Sequence, residues 1–127
     1  MTSRVAWVRA DGKRPLAVDG LPASSTNRAT WTSFDEVLVS VAGDGFGIML
    51  GDGLGCYDLD HVSDDEAREL IERISEPIVY VERSLSGEGV HVFVMAVESP
   101  GTKKWQGRHE RYTRARFIRI TGQEVQL

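Results

Sequence analysis

The sequence predicts an α+β fold, a mostly antiparallel sheet with two short helices. Three observations carry this. Short apolar segments with strand-like alternation recur along the chain, and glycine or proline breaks separate them. Two helix-start signatures, Ser33 with Glu36 and Ser63 with Glu66, are each followed by apolar residues at helical spacing. Strands with interspersed helices default to a sheet carrying its helices on one face. In chain order, Arg4-Val5-Ala6-Trp7-Val8 reads as a strand and Asp11-Gly12 as a turn. Lys13-Arg14-Pro15 then leads into a loop rich in Gly20, Pro22, Ser24, Ser25 and Asn27. Phe34, Val37, Leu38 and Val41 give the spacing of a first helix, broken by residues 43–47. Residues 46–50 and 54–60 read as two strands joined by a Gly51-Asp52-Gly53 turn. Ala67, Leu70, Ile71 and Ile74 form one face of a second helix, which Pro77 closes. Ile78-Val79-Tyr80-Val81 is an apolar strand, and residues 90–97 alternate His91, Phe93 and Met95 against Val92, Val94 and Ala96. Residues 98–108 read as a polar loop and 116–121 as a last strand.

A chain of 127 residues has the length of one domain and enough residues to bury a core. Its single cysteine, Cys56, excludes an intramolecular disulfide framework and a multi-cysteine zinc site. No apolar run approaches membrane-spanning length and none resembles a secretory leader, so a soluble, cytoplasmic protein is expected. The net charge of −4 is unevenly distributed. Acidic residues crowd positions 35–98, where only Arg68, Arg73 and Arg83 offset them. Beyond that, Lys103, Lys104, Arg108, Arg111, Arg114, Arg116 and Arg119 face Glu110 alone before Glu124. A basic segment beside an acidic site suits a polyphosphate ligand, and a solvated basic surface is the alternative.

The most informative motif is Asp58-Leu59-Asp60, two carboxylates at the end of the apolar run Leu54-Gly55-Cys56-Tyr57. In a strand, residues i and i+2 share a face about 7 Å apart, so both carboxylates can converge on one hard cation such as Mg²⁺ or Mn²⁺. Two further stretches carry chemistry: Ser84-Leu85-Ser86-Gly87-Glu88-Gly89-Val90-His91, and Glu110-Arg111-Tyr112 with Arg116-Phe117 and Thr121-Gly122 behind it. These stretches and Asp58-Leu59-Asp60 fall at three strand ends. If the strands are neighbours, three carboxylates, an imidazole and a glycine loop meet in one cleft.

At these residues the chain resembles the archaeo-eukaryotic primase superfamily, in particular the primase-polymerase catalytic domains of phages and plasmids. That family is marked by an acidic pair on one strand, a small-residue-x-His motif on a later one and a third acidic residue beyond it. Here they look like Asp58 and Asp60, Gly89-Val90-His91, and Glu110. Lys13-x-Pro15, Thr30-Trp31 and the stretch from Arg116-Phe117 to Thr121-Gly122 are also similar. The resemblance covers nearly the whole chain and implies a single minimal catalytic domain over 1–127, with a compact, RRM-like core. It implies template-directed nucleotidyl transfer with two Mg²⁺ or Mn²⁺ ions, acting on nucleoside triphosphates and a DNA template and primer. In that scheme Asp58 and Asp60 bridge the metals, Glu110 is the third ligand and His91 contacts the triphosphate. Ser84, Ser86 and the Gly87 and Gly89 backbone approach phosphates, Arg116 adds a phosphate contact, and Lys13 serves nucleotide or template. The helical and helicase regions of larger relatives are absent from the sequence, so a separately encoded replicative helicase is an expected partner, in the cytoplasm of a host cell if phage-encoded.

Structural alternatives stand beside each assignment. Asp58 and Asp60 can pair with arginines or cap the Ser63 helix; His91 can be a hydrogen-bonded strand histidine; Ser86-Gly87-Glu88-Gly89 can be a plain hairpin turn. Tyr112 and Trp31 fit core aromatics, Glu88 faces solvent, and His61 and His109 stay outside the metal set. Glu82 shares its strand's alternation with Tyr80 and can enter the cleft, though an exposed ion pair is the expectation. Two other functions remain open: a rolling-circle nuclease, which lacks its His-x-His here, and a noncatalytic module binding single-stranded nucleic acid or a replisome protein.

Overall fold

A computed structural model describes residues 1–100 and 103–127, and the fold is α+β with predominantly antiparallel strands. The strands form two sheets where the sequence suggested one. The cause lies at Gly51-Asp52-Gly53. All three residues take positive φ, and Gly51 and Leu54 bond to each other across the turn, so the ladder ends after one bridge. The strands on either side, β3 (Gly45–Met49) and β4 (Leu54–Leu59), therefore find other partners. By its contacts the chain divides into two compact units, Met1–Leu50 with Ala115–Thr121, and Gly51–Arg114 with Gly122–Leu127.

The first unit holds the antiparallel sheet β2-β1-β3-β9, in which β1 is Trp7–Asp11, β2 Arg14–Leu16 and β9 Phe117–Ile120. Trp7 packs against Phe34 and Phe46, with ring centroids 4.7 and 5.9 Å away. Ser33 caps helix α1 (Phe34–Val39) by accepting from the Glu36 N–H. The helix ends at Val39, and Val41 is 94% exposed rather than on the buried face. Arg9 favours the early stop: its guanidinium donates to the Val37 carbonyl, which a helix continued to Val41 would have bonded itself, and to the Ala42 carbonyl beyond the helix end. Lys13 is exposed in the β1–β2 turn, next to Gly12 at φ +61°. Arg119 donates to the Gly12 carbonyl and to Asp44, whose carboxyl is held below its usual range by the Gly12 N–H and by Arg119.

The second unit holds the antiparallel sheet β5-β6-β4-β8-β7, in which β5 is Ile78–Arg83, β6 Val90–Met95, β7 Lys103–Trp105 and β8 His109–Tyr112. One face packs on helix α2 (Asp64–Glu72): Tyr57, Leu59, Val90, Val92, Val94 and Ala96 bury against Ala67, with Leu70, Ile71 and Ile74 closing over them. Ser63 and Glu66 complete the expected capping box, so the helix start needs no help from Asp58 or Asp60. The segment read as a polar loop contains β7, while Gly101 and Thr102 lie outside the described residues. Three residues with two lysines are too short to show alternation, and charge is what an edge strand needs. What holds β7 is Trp105, whose ring meets Tyr57 edge-on at 4.6 Å. Beyond β9, the chain runs along β5 through the Arg83 N–H to Gln123 and the Val125 N–H to Val81. Among the described residues no helix is long and apolar enough to cross a membrane.

Candidate active site

The second sheet brings the three motif-bearing segments together. In β6-β4-β8, Asp58 lies directly opposite His91 on one side and Glu110 on the other. Outward from these, Glu82 of β5 opposes His91 and Lys104 of β7 opposes Glu110. Directly opposed residues share a face, so Glu82, His91, Asp58, Glu110 and Lys104 form one row across five strands, about 19 Å from end to end. Because side chains alternate, this is the face away from α2. Cys56, Tyr80, Phe93 and Tyr112 form the next row on the same face.

Within the row, His91 lies between two carboxylates. Its Nε2 is 3.7 Å from Asp58 Oδ1 and its Nδ1 is 3.7 Å from Glu82 Oε2. Glu82 is a correction to the sequence reading: it is fully buried, at 0% exposure, not an exposed ion pair. The reason is its register, since the residue opposite is a buried histidine rather than a solvated cation. The Glu82 carboxylate accepts from the Gly122 N–H at 3.1 Å, and its charge is felt by the nearby Tyr80 phenol. Burial and the Glu82 charge push the Tyr80 phenol up to about 12. At the other end, Tyr112 donates to Glu110 at 2.8 Å, so this tyrosine is a buried core ring with a polar tip on the site.

Asp60 lies just beyond the end of β4, with an exposed side chain 3.8 Å from His61. Its N–H donates to His109 Nδ1 at 3.2 Å, an acceptor role that needs the neutral ring. Burial, then the Arg108 charge, lowers the His109 pKa against the opposing pull of Asp60, Glu66 and Asp58. His61 in turn contacts Glu88 at 3.1 Å. His109 thus holds the Asp60 backbone, and His61 lies between the Asp60 and Glu88 carboxylates. A depression of about 510 Å³, lined by Glu66, Arg73, Arg108 and His109 among others, opens on the α2 side of the sheet rather than on the row.

The 84–89 loop closes on itself. Ser84 and Gly89 exchange a bond through the Ser84 N–H, the Gly87 N–H returns to the Ser84 carbonyl, and the Glu88 N–H goes to Ser86 Oγ. The Gly89 N–H is taken by Ser84 Oγ at 3.1 Å. In this conformation the Gly87 and Gly89 amides are spent inside the hairpin, and a phosphate would displace them. The exposed Ser86 hydroxyl lies 3.2 Å from Ser84 Oγ. Gly89 has a packing reason of its own, because a Cβ there would sit 2.7 Å from the Leu59 carbonyl.

The basic residues of the last quarter are divided. Arg111 is on the α2 face, paired with Glu76 and Tyr57, and Arg108 donates to the His61 carbonyl. Arg119 and Arg116 belong to the first unit with Lys13; the Arg116 side chain is exposed and its carbonyl accepts from Leu50. Lys104 alone among the basic residues lies opposite a member of the row.

No protein-family model matches this chain, and no curated protein is significantly similar to it. The case for a metal is therefore made on the donors themselves. Asp58 and Glu110 offer hard oxygens from directly opposed positions, where Cβ atoms stand about 5 Å apart, and Asp60 adds a third nearby. These donors fit Mg²⁺ or Mn²⁺. As placed, no three His, Cys, Asp or Glu side chains among the described residues are gathered around one point, and Glu110 is turned to Tyr112.

Proposed function

We propose that the row on the second sheet is a metal-dependent nucleotidyl-transfer site of the primase-polymerase kind. One observation carries the reading: three sequence-distant segments meet in a single register, and that register opposes two carboxylates, Asp58 and Glu110, with His91 alongside. Like charges directly opposed across strands destabilise a sheet, a cost that a bound divalent cation relieves. A purely structural role does not require this opposition. Bound Mg²⁺ or Mn²⁺ would neutralise the triphosphate and activate the attacking hydroxyl. Asp58, Asp60 and Glu110 supply the oxygens that hold the ions; His91 Nε2, on the Asp58 side of the ring, donates to a phosphate. Lys104 lies at the open end of the row, where it attracts polyanions. Ser84 and Ser86 shape the hairpin that leads into His91, and Ser86 carries an exposed hydroxyl. The roles of Lys13 and Arg116 rest on the resemblance alone. Template and primer are held with the aid of a separate replication protein such as a helicase, in the cytoplasm.

The test is calorimetric titration with a nucleoside triphosphate in Mg²⁺ or Mn²⁺, paired with primer extension. Metal-dependent triphosphate binding that Asp58→Ala and Glu110→Ala abolish while the fold persists supports the reading. Triphosphate binding that ignores metal and survives both substitutions refutes it. Retained affinity for single-stranded DNA in those variants, without metal dependence, identifies a noncatalytic binding module instead.

A further inference from the structure

We propose that Glu82 is a positioning residue for His91, an assignment that deepens the reading just given and rests on it. A carboxylate with no exposed surface costs several kcal/mol unless its neighbours compensate. Here the compensating groups are arranged around one outcome. The Gly122 N–H holds Oε1 of the carboxylate, and its Oε2 faces His91 Nδ1. That Nδ1 is itself wholly buried and makes no hydrogen bond. The separation of 3.7 Å exceeds a hydrogen bond, and closing by less than an ångström reaches the about 2.8 Å of a charge-assisted pair.

The two imidazole nitrogens divide the work. A carboxylate at Nδ1 holds a proton there and sets the ring plane; Nε2 then faces Asp58 Oδ1, and in the doubly protonated ring the Nε2 proton is the one offered to a phosphate. Carboxylates behind metal-bound histidines act this way, and losing them costs about 10–100-fold in metal affinity or activity; by the same physics, fixing the ring serves a phosphate contact here. Glu82 itself is too deeply enclosed behind the ring to touch a ligand. Phe93, edge-on to the His91 ring at 6.4 Å, and Tyr80 wall the pair on the same face.

The experiment uses the full chain with ¹⁵N-labelled histidine. Two-bond ¹H–¹⁵N correlation reports which nitrogen of His91 carries the proton, with His91→Asn supplying the assignment. We expect Nδ1 to be protonated in the wild type. In Glu82→Leu, of similar bulk and without an acceptor, the Nδ1 signature is expected to be lost and Mg²⁺-triphosphate affinity to fall about tenfold or more. Glu82→Gln, whose amide oxygen still accepts from Nδ1, is expected to restore both. Should Glu82→Leu fail to fold, the wild-type and Glu82→Gln spectra decide. A wild-type His91 with Nδ1 bare overturns the proposal, as does a Glu82→Leu protein whose His91 signature is unchanged. Absence of any Mg²⁺-dependent triphosphate binding in the wild type refutes the polymerase reading, while the spectra still decide the role of Glu82.

Discussion

Glu110→Gln separates the ligand role of Glu110 from its packing role. The glutamine keeps the bulk and an oxygen that still accepts from the Tyr112 hydroxyl at 2.8 Å, so the substitution removes charge and little else. Directly opposed positions hold the Asp58 and Glu110 Cβ atoms about 5 Å apart, and the repulsion is greatest if the carboxylates keep about that spacing. At that distance their repulsion runs from about 0.8 kcal/mol in water to about 3 kcal/mol at an effective dielectric of 20. The Asp58 side chain is 33% exposed, which puts the value near the lower end, about 1 kcal/mol. Loss of the attraction to exposed Lys104 on the other side subtracts a few tenths. The metal-free variant is therefore expected to be more stable than wild type by about 0.5–1 kcal/mol at low salt, or about 2–5 °C in melting temperature.

With Mn²⁺ the order reverses. A cation bound by the native site stabilises the wild type by mass action, and a variant short of one carboxylate gains far less. Thermal and urea unfolding in chelator and in Mn²⁺, at low salt and at 1 M salt, measures both effects. The metal-free gain should shrink at high salt, where the Debye length is about 3 Å. A Glu110→Gln protein that is destabilised without metal, or that keeps the full Mn²⁺ shift, refutes the argument.

Three further predictions use groups away from the proposed ligands. Glu76 is partly buried beside Tyr57 and Arg111; burial alone would raise its pKa, but the Tyr57 hydroxyl and the guanidinium outweigh it and the carboxyl is lowered. A depressed carboxyl contributes stability above its unfolded value and loses it as pH falls, so wild type should lose about 1–3 kcal/mol more than Glu76→Gln on acidification below about pH 4.5, with metal affinity at neutral pH unchanged. The Tyr80 phenol, pushed up to about 12, keeps its proton in the native state when unfolded tyrosine has lost it. Stability therefore falls as pH rises from about 10 to 12, and phenolate absorbance should show late tyrosine ionisation, Tyr57 also being raised, of which the Tyr80 part returns toward normal in Glu82→Gln. Gly89→Ala forces a Cβ to within 2.7 Å of the Leu59 backbone oxygen and should cost about 2–3 kcal/mol. Gly87→Ala meets open space and only the strain of φ +81°, about 1 kcal/mol; urea unfolding that reverses this order refutes the packing account.

Much of this arrangement was legible before any coordinates. The Ser63 capping box, the Leu70, Ile71 and Ile74 face and the alternation around His91 all carry periodic signals, and each element formed where that signal lay. Helix α1 was read two residues too long because the spacing includes Val41, and nothing local announces that Arg9, distant in sequence, takes the Val37 carbonyl. The single sheet expected became two because pairing partners are nonlocal, and Gly51-Asp52-Gly53 resembles any hairpin turn. Glu82 and Lys104 escaped for the same reason. The parity of Glu82 along its strand was readable and that of Lys104, in a stretch without alternation, was not; a row is in any case a property of register, and register between β5, β6 and β7, β8 is decided in three dimensions.

Register also explains how the fold tolerates the row. Strand side chains alternate, so a one-residue slip of β6 against β4 would turn Val90, Val92 and Val94 away from α2 along with displacing His91. Burying each such valine or leucine contributes about 1.5–3 kcal/mol. The opposition of Asp58 and Glu110 costs about 1 kcal/mol, so the apolar face dictates the pairing and the charged face must accept it. The two faces are thus coupled through the backbone alone. A variant such as Val92→Thr, which weakens the α2 face without touching a charge, should lower stability while leaving metal affinity per folded molecule unchanged; a parallel loss of affinity would show that the row depends on more than its register.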